Sequence, residues 1–288
     1  MKKYIVFSIA LLLFSIFMPF FAENLRNRPK YEKLGYMPKG KIYRAVLCEF
    51  RWFMGDYLTF KALIYYGSKT KKILKGQSVD VEYYNLYKTL ETSVILNPYH
   101  EDTYYFAQAI FTWGLGRIKE VNSILKYVFK YRYWDYQLPF FLGFNYAYFL
   151  KDYVKAAEFF KKAAELSGVP FFATLSARYF YEGRRIELGI MFLRHMIKNT
   201  SKPDIKAFYE RRLKALEAIY KLEKAIKIYQ KKFGYIPASL NELVKMGILK
   251  KIPKDPYGGK FFIDKKGQVR TTSNLTPNWK KNGSNKNK

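Results

Sequence analysis

The sequence predicts a mainly α-helical protein: an α-solenoid of stacked helix hairpins, a small C-terminal α+β cap and an N-terminal transmembrane or signal helix. Three observations support this prediction. Apolar residues recur every three or four positions between residues 42 and 233. Breaks that contain glycine or proline divide this stretch into segments of helical length. The first 22 residues are apolar after a basic start.

Residues 1–22 are predicted to be a signal anchor or signal peptide. Lys2 and Lys3 precede 19 uncharged, mostly apolar residues that end at Ala22. As a helix, such a run rises about 28 Å, which nearly matches the hydrocarbon core of a bilayer. Phe20 occupies a position where signal cleavage needs a small side chain. We therefore favour an uncleaved membrane anchor, and cleavage after Ala22 is the alternative.

Residues 23–40 are predicted to be a linker that leaves the membrane. Arg26, Arg28, Lys30 and Lys33 follow the apolar run, so the positive-inside rule leaves the orientation open. The signal-like N-terminus favours export of the main body. We expect a protein anchored in the inner membrane with its body on the periplasmic side, and a soluble periplasmic protein if the signal is cleaved.

Residues 41–204 are predicted to form a helical repeat domain. Glycine, proline and polar segments separate its helices, and residues 68–80 are predicted to be a basic loop. The predicted helices cover residues 42–66, 81–96, 101–113, 118–131, 137–149, 153–167, 172–181 and 185–199. A pair of such helices cannot bury its apolar face alone, so we expect the pairs to stack on one another.

Five residues are the candidate repeat-packing positions. Gly143 and Tyr146 lie on the helix 137–149, and Ala156, Phe160 and Ala163 follow at spacings of four and three on the next helix. Small and large apolar side chains alternate here, which allows two helices to approach closely as a hairpin.

The second helices of three successive pairs align at Val121, Ala156 and Leu188, which are 35 and 32 residues apart. Tetratricopeptide repeats have a period of about 34 residues. With the five repeat-packing positions and Pro170 in signature-like places, the stretch 81–200 resembles this family. The resemblance implies helix hairpins that bind protein segments on a concave surface, and it does not specify the ligand. Another type of helical solenoid is the alternative.

Residues 205–275 are predicted to form a long helix and an α+β cap. Apolar residues step by three or four from Ile205 to Phe233, which predicts a helix about 43 Å long whose stripe packs on the last repeat. Gly234 is the expected terminator. Ser239 and Glu242 have the spacing of a capping box for a short helix over residues 240–246. Two strands, 261–263 and 268–270, are joined by a four-residue hairpin loop.

Asp255, Pro256, Tyr257, Gly258 and Gly259 form the candidate C-terminal turn. Asp and Pro favour a turn, and the glycines permit backbone angles closed to other residues. The order of long helix, Gly-Tyr-x-Pro segment, short helix, Asp-Pro-Tyr-Gly turn and strands resembles the C-terminal part of type II secretion major pseudopilins. This resemblance implies a possible association with a pilus or secretion apparatus. Repeats intervene between the apolar N-terminus and the long helix, so polymerisation as a pilin is not expected. A plain end cap that closes the solenoid is the favoured interpretation, and docking on a pilus or secretion apparatus is the alternative.

The formal net charge is +29, and residues 201–288 contain 22 basic and 7 acidic residues. A basic surface attracts anionic lipid, acidic polymers and nucleic acid, and this electrostatic binding is the alternative function. Nucleic acid is not the expected partner, because no arginine-rich motif marks such a site. Residues 276–288 are predicted to be a basic disordered tail.

The sequence shows no catalytic, cofactor-binding or metal-binding set. His100 and His195 are the only two histidines, Cys48 is the single cysteine, and no cluster has metal-ligand spacing. We therefore expect a non-enzymatic scaffold or adaptor that needs no cofactor, contacts the membrane through its N-terminal helix and binds a protein partner. Neither the identity of this partner nor the oligomeric state follows from the sequence.

Overall fold

The computed structural model describes residues 2–27 and 33–276, with the side chains of residues 6–24 and 33–276. These residues are mainly helical, with a single two-stranded antiparallel sheet among them. The prediction of a mainly α protein is confirmed. Residues 277–288 of the predicted tail and residues 28–32 of the predicted linker lie outside the described part of the chain.

The chain divides into two compact units, Met1–Leu115 and Gly116–Lys288. This division falls within the second predicted helix pair, at the glycine-containing break after residue 113. The predicted boundary between repeat domain and cap at residue 204 stays a prediction.

The first unit contains five α-helices and two irregular helical turns within its described residues. The helices are α1 (Lys2–Asn27), α2 (Gly40–Leu47), α3 (Arg51–Leu74), α4 (Tyr83–Leu96) and α5 (Glu101–Ala109). A 3-10 turn, Cys48–Phe50, connects α2 to α3, and a π-helical turn, Ile110–Gly114, continues α5. α4 packs against α2, α3 and α5, and α3 also contacts α5.

Helix α1 is long and apolar enough over Val6–Asn24 to cross a membrane, and none of this segment is buried in the chain. It is compatible with a membrane anchor or a signal sequence. The helix continues to Asn27, so its last residues fall within the segment 23–40 that is predicted to be a linker.

The predicted loop at residues 68–80 begins too early, because α3 continues through Gly67 to Leu74. Gly67 faces open space, and a glycine in an exposed helix interior costs only about 1 kcal/mol. Lys71 and Lys72 lie in the last turn, where positive charge interacts favourably with the helix dipole. Glycine and a lysine run were therefore insufficient to end this helix.

The second unit contains seven α-helices and both strands of the described chain. They are α6 (Ile118–Phe129), α7 (Gln137–Tyr148), α8 (Tyr153–Ser167), α9 (Pro170–Glu182), α10 (Ile186–Lys198), α11 (Pro203–Phe233), α12 (Leu240–Lys245), β1 (Phe261–Ile263) and β2 (Val269–Thr271). From α6 to α12, each helix packs against the next in chain order, and α11 also contacts α9.

Local chemistry explains the ends of α8, which match the predicted ends. Asp152 is the N-cap, and its carboxylate accepts a hydrogen bond from Lys155 N at 3.1 Å. Gly168 ends the helix with a φ of 67°, a left-handed conformation that favours glycine. Gly234 ends α11 in the same way, with a φ of 83°.

The apolar stripe of α11 lies in the core of the second unit. Its buried residues are Tyr209, Ala215, Leu216, Ile219, Leu222, Ala225, Ile226 and Tyr229. The strands pair with Ile263 opposite Val269, and Val269 is fully buried. Tyr181 donates a hydrogen bond from its hydroxyl to the carbonyl of Val269, which connects α9 to the sheet.

The predicted capping box at α12 is wrong. The Ser239 side chain makes no capping hydrogen bond. Glu242 Oε2 instead accepts hydrogen bonds from Ala238 N at 3.2 Å and from the Tyr229 hydroxyl at 3.3 Å. Its carboxylate is thus directed toward α11 rather than to the Ser239 amide.

Candidate interaction surface

The repeat-packing residues lie where α7 meets α8. Gly143 is buried, and a Cβ atom at this position would lie 3.0 Å from Phe160 Cδ1. Ala156 and Ala163 are fully buried on α8. A glycine on one helix and alanines on the other allow the two backbones to approach closely, with the Phe160 ring between them.

Tyr146 packs against the neighbouring helix and also contacts two lysine side chains. Its ring stacks on Phe159 with 5.6 Å between centroids. Lys126 Nζ donates a 2.8 Å hydrogen bond to the Tyr146 hydroxyl and lies 5.3 Å from the ring centroid, and Lys155 Nζ lies 5.5 Å from it. The sequence pattern indicated the packing role of Tyr146 but gave no signal for these two cation–π contacts.

A group of neighbouring aromatic side chains lies along α7 and at the start of α9, and most of them are partly exposed. We call this group the aromatic band: Tyr136, Phe140, Phe141, Phe144, Tyr148, Phe171 and Phe172. Phe144 stacks on Tyr148 at 5.6 Å between centroids. Phe172 lies 5.3 Å from Phe140 and 5.9 Å from Tyr136, so the band continues from α7 to α9.

The most exposed rings of the band are Tyr148 and Phe171, each with 55% of its surface accessible. Lys151 Nζ lies 5.1 Å from the centroid of Tyr148. Ring–ring contacts restrict these side chains before any partner arrives, so little conformational entropy remains to be lost on binding. Chemically, the band offers rigid apolar surface with a cation beside it and no reactive group.

The C-terminal turn uses its polar atoms internally. Asp255 Oδ1 accepts a 2.8 Å hydrogen bond from Tyr257 N, and Oδ2 accepts from the hydroxyls of Thr271 and Ser273. A Cβ atom on Gly259 would lie 2.6 Å from Ser273 N, so the turn and the end of the hairpin require a glycine there. Gly258 has a φ of 79°, the left-handed region. Pro256 precedes Tyr257 in the same turn.

A buried arginine lies beneath this turn. Arg212 is only 7% exposed, and its guanidinium carbon lies 5.2 Å from the centroid of the Tyr257 ring. Its Nε and Nη1 atoms have no hydrogen-bond acceptor among the described residues. Burial lowers the pKa of Arg212 and raises the pKa of Tyr257. The sequence gave no signal for this contact, because the two residues are distant along the chain.

Charged groups also connect α9 to the strands. Arg270 Nη1 donates to Glu182 Oε2 at 2.6 Å, and Arg270 Nε to Asp264 Oδ2 at 3.3 Å. Burial raises the pKa of Tyr181 to about 12 and also raises the pKa of Glu223 on α11.

In the first unit, a buried hydroxyl network joins α3, α4 and α5. Thr59 Oγ1 lies 2.7 Å from both Ser93 Oγ and Thr103 Oγ1, and Thr103 Oγ1 lies 2.7 Å from His100 Nδ1. Thr59, Ser93 and Thr103 are each at most 1% exposed. A histidine beside hydroxyls suggests nucleophilic catalysis, but these oxygens are inaccessible to a substrate. The network therefore fixes the three helices.

The second histidine of the sequence, His195, is exposed and pairs with Asn199 four residues later. Among the described residues, no group of three or more His, Cys, Asp or Glu side chains could hold a metal ion. No protein-family model matches the chain, and neither a curated protein nor a solved structure does.

Proposed function

We propose that this chain is a non-enzymatic, membrane-anchored scaffold or adaptor whose helix hairpins bind a segment of a partner protein along the aromatic band. The band itself is the observation that supports this function. Aromatic side chains are enriched at protein interfaces, where they provide large contact areas at low entropic cost. Tyr148 and Phe171 are the expected anchors, because they combine high exposure with ring contacts to their neighbours.

The proposal includes a solenoid of hairpins similar to tetratricopeptide repeats. In support, the helices of the second unit pack in chain order, and Gly143 permits the close approach of α7 to α8. In such an arrangement α7 and α9 are first helices of successive hairpins and form the binding face. The cap resembling pseudopilins, with its Asp255 turn, would attach the scaffold to a pilus or secretion apparatus.

We further propose that α1 remains attached and holds an exported body at the periplasmic side of the inner membrane. The length and apolar character of Val6–Asn24 support an anchor. Mass spectrometry of the native N-terminus after membrane fractionation tests this. An intact Met1 or Lys2 is expected, and a start at Glu23 would mean a soluble exported protein instead.

Co-purification tests the role of the band. The full-length chain, extracted in detergent, would be compared with the double variant Tyr148→Ala/Phe171→Ala. Met191→Ala is the matched control, because Met191 is 65% exposed on α10 outside the band. We expect at least one protein to accompany the parent and the control but not the double variant. Identical sets of bound proteins in all three samples would contradict the proposal.

A second candidate function is electrostatic binding of an acidic polymer, which the net charge of +29 favours. Polyphosphate is a suitable probe. Such binding should weaken steeply as salt rises and should not change in the double variant. Binding of a partner through the aromatic band should not weaken steeply with salt, and it should change in the double variant.

A further inference from the structure

The first unit carries a set of exposed apolar side chains on two successive helices. It runs along α2, through the 3-10 turn and along α3 at spacings of three or four residues. We call it the juxtamembrane stripe: Ile42, Val46, Phe50, Phe53, Tyr57 and Phe60. Each of these side chains is between 40% and 74% exposed. Single exposed apolar residues are normal on proteins, but six on two successive helices are a feature of the kind that marks an interaction surface.

The stripe is not the core side of these helices. On α3 the buried residues are Gly55, Leu58, Thr59, Ala62 and Tyr65, which occupy the opposite face. On α2, Gly40 is buried so closely against α4 that a Cβ atom there would lie 3.0 Å from Ile95 Cδ1. The contacts with α4 and α5 therefore use one face and leave the stripe on the other.

The position of the stripe in the chain indicates what covers it. Helix α1 ends at Asn27 and α2 begins at Gly40, so 12 residues separate them. Even a fully extended segment of this length spans at most about 43 Å. If α1 lies in a bilayer, this tether keeps the start of α2 within about 43 Å of the end of the membrane helix.

The charge and composition of this part of the chain also indicate that a membrane surface covers the stripe. Between residues 26 and 75 the chain has 13 basic and 3 acidic residues. Lys39 and Lys41, which come just before Ile42 in the chain, are both exposed. Aromatic and aliphatic side chains flanked by lysines are typical of helices that lie in the interface of an anionic bilayer.

We infer that the juxtamembrane stripe lies in the plane of an anionic membrane, with its apolar side chains at the boundary between headgroups and acyl chains. The unit Met1–Leu115 would then be attached to the bilayer along a surface as well as through α1. This inference rests on the part of the proposed function that keeps α1 in the membrane, and it does not involve the aromatic band.

The only cysteine of the chain allows a direct test. Cys48 is exposed in the 3-10 turn, between Val46 and Phe50 of the stripe. The full-length protein would be labelled there with an environment-sensitive fluorophore and reconstituted in vesicles of phosphatidylethanolamine and phosphatidylglycerol. Aqueous iodide and a lipid with a nitroxide near its headgroup would serve as quenchers. The control places the label on α5, in Cys48→Ser/Asp102→Cys.

We expect the Cys48 label to show blue-shifted emission, quenching by the nitroxide lipid and roughly half or less of the iodide quenching of the control label. Phe53→Ser/Phe60→Ser should abolish these differences. Tyr84→Ser/Tyr105→Ser, which changes two exposed tyrosines on α4 and α5, should leave them intact.

Three results would overturn the inference. One is iodide quenching at Cys48 equal to that of the control label. Another is protection from iodide without quenching by the nitroxide lipid, which would mean that α1, a second copy or another protein covers the stripe. The third is an unchanged signal in Phe53→Ser/Phe60→Ser.

Discussion

The contact between Gly143 and Phe160 makes a sharp prediction about how α7 packs on α8. In Gly143→Ala, the new methyl group would lie 3.0 to 3.1 Å from three ring atoms of Phe160. Ordinary carbon–carbon contacts are about 3.5–4.0 Å, so the ring would have to retreat by about 0.5 Å. Phe160 is only 2% exposed and stacks on Tyr179 at 5.4 Å, which leaves it little room.

Two opposing effects set the change in stability that Gly143→Ala should cause. Overpacking a core costs about 1–3 kcal/mol. Replacing glycine by alanine within a helix gains about 1 kcal/mol. Gly143→Ala should therefore destabilise the second unit by up to about 2 kcal/mol. In a Phe160→Leu background the ring is gone, so the same substitution should stabilise by up to about 1 kcal/mol.

Gly67 provides the matched control. It lies within α3, and a Cβ atom there would meet nothing within 4 Å. Gly67→Ala should accordingly stabilise α3 by about 1 kcal/mol. Hydrogen exchange, followed by mass spectrometry on the full-length protein in detergent, would measure the opening free energy of α7 and α8 separately from that of α3. If Gly143→Ala stabilises its helix as much as Gly67→Ala does, the close approach of α7 to α8 is wrong.

Three further predictions concern polar groups that are buried or half-buried. Burial raises the pKa of Glu223 in the folded state above the ordinary carboxyl pKa. The contribution of this group to folding stability is therefore complete below the ordinary pKa, and it is lost as the pH rises through the raised pKa. Glu223→Gln should hence increase stability at neutral pH and flatten the pH dependence of urea unfolding; an unchanged profile would refute this. Asp255→Ala leaves two hydroxyls and an amide without their acceptor, and we expect a loss of about 3 kcal/mol with selective exchange of β1 and β2 amides. Thr59→Val should reduce stability by about 1–3 kcal/mol and increase hydrogen exchange in α3 to α5, because Ser93 and Thr103 lose their shared partner. If the variant shows wild-type hydrogen exchange in these helices, the hydroxyl network does not hold them together.

Elements with strong local signals could be predicted from the sequence. The bounds of α8 match because Asp152 and Gly168 supply a cap at each end. Helix α11 was equally predictable, because its apolar stripe is long and Gly234 has the left-handed conformation that ends helices. Such features depend on neighbours within one or two turns, which the sequence displays directly.

Contacts between distant residues could not be predicted in this way. Arg270 pairs with Glu182 across 88 positions, and no local pattern connects them. The aromatic band was invisible for another reason, since periodicity identifies apolar positions but not which of them stay partly exposed. The same limit applies to Phe50 of the juxtamembrane stripe, which lies in a run of apolar residues at helical spacing and yet is 74% exposed.

Site-specific photo-cross-linking in intact cells tests the central claim most directly. A benzoylphenylalanine would replace Tyr148 in the aromatic band or, in a separate variant, Phe53 in the juxtamembrane stripe. Cross-linking from position 148 should give a protein adduct of defined mass, whereas position 53 should give lipid adducts. Lipid adducts alone at position 148, or no adduct there while position 53 captures a protein, would contradict a scaffold that binds its partner through the aromatic band.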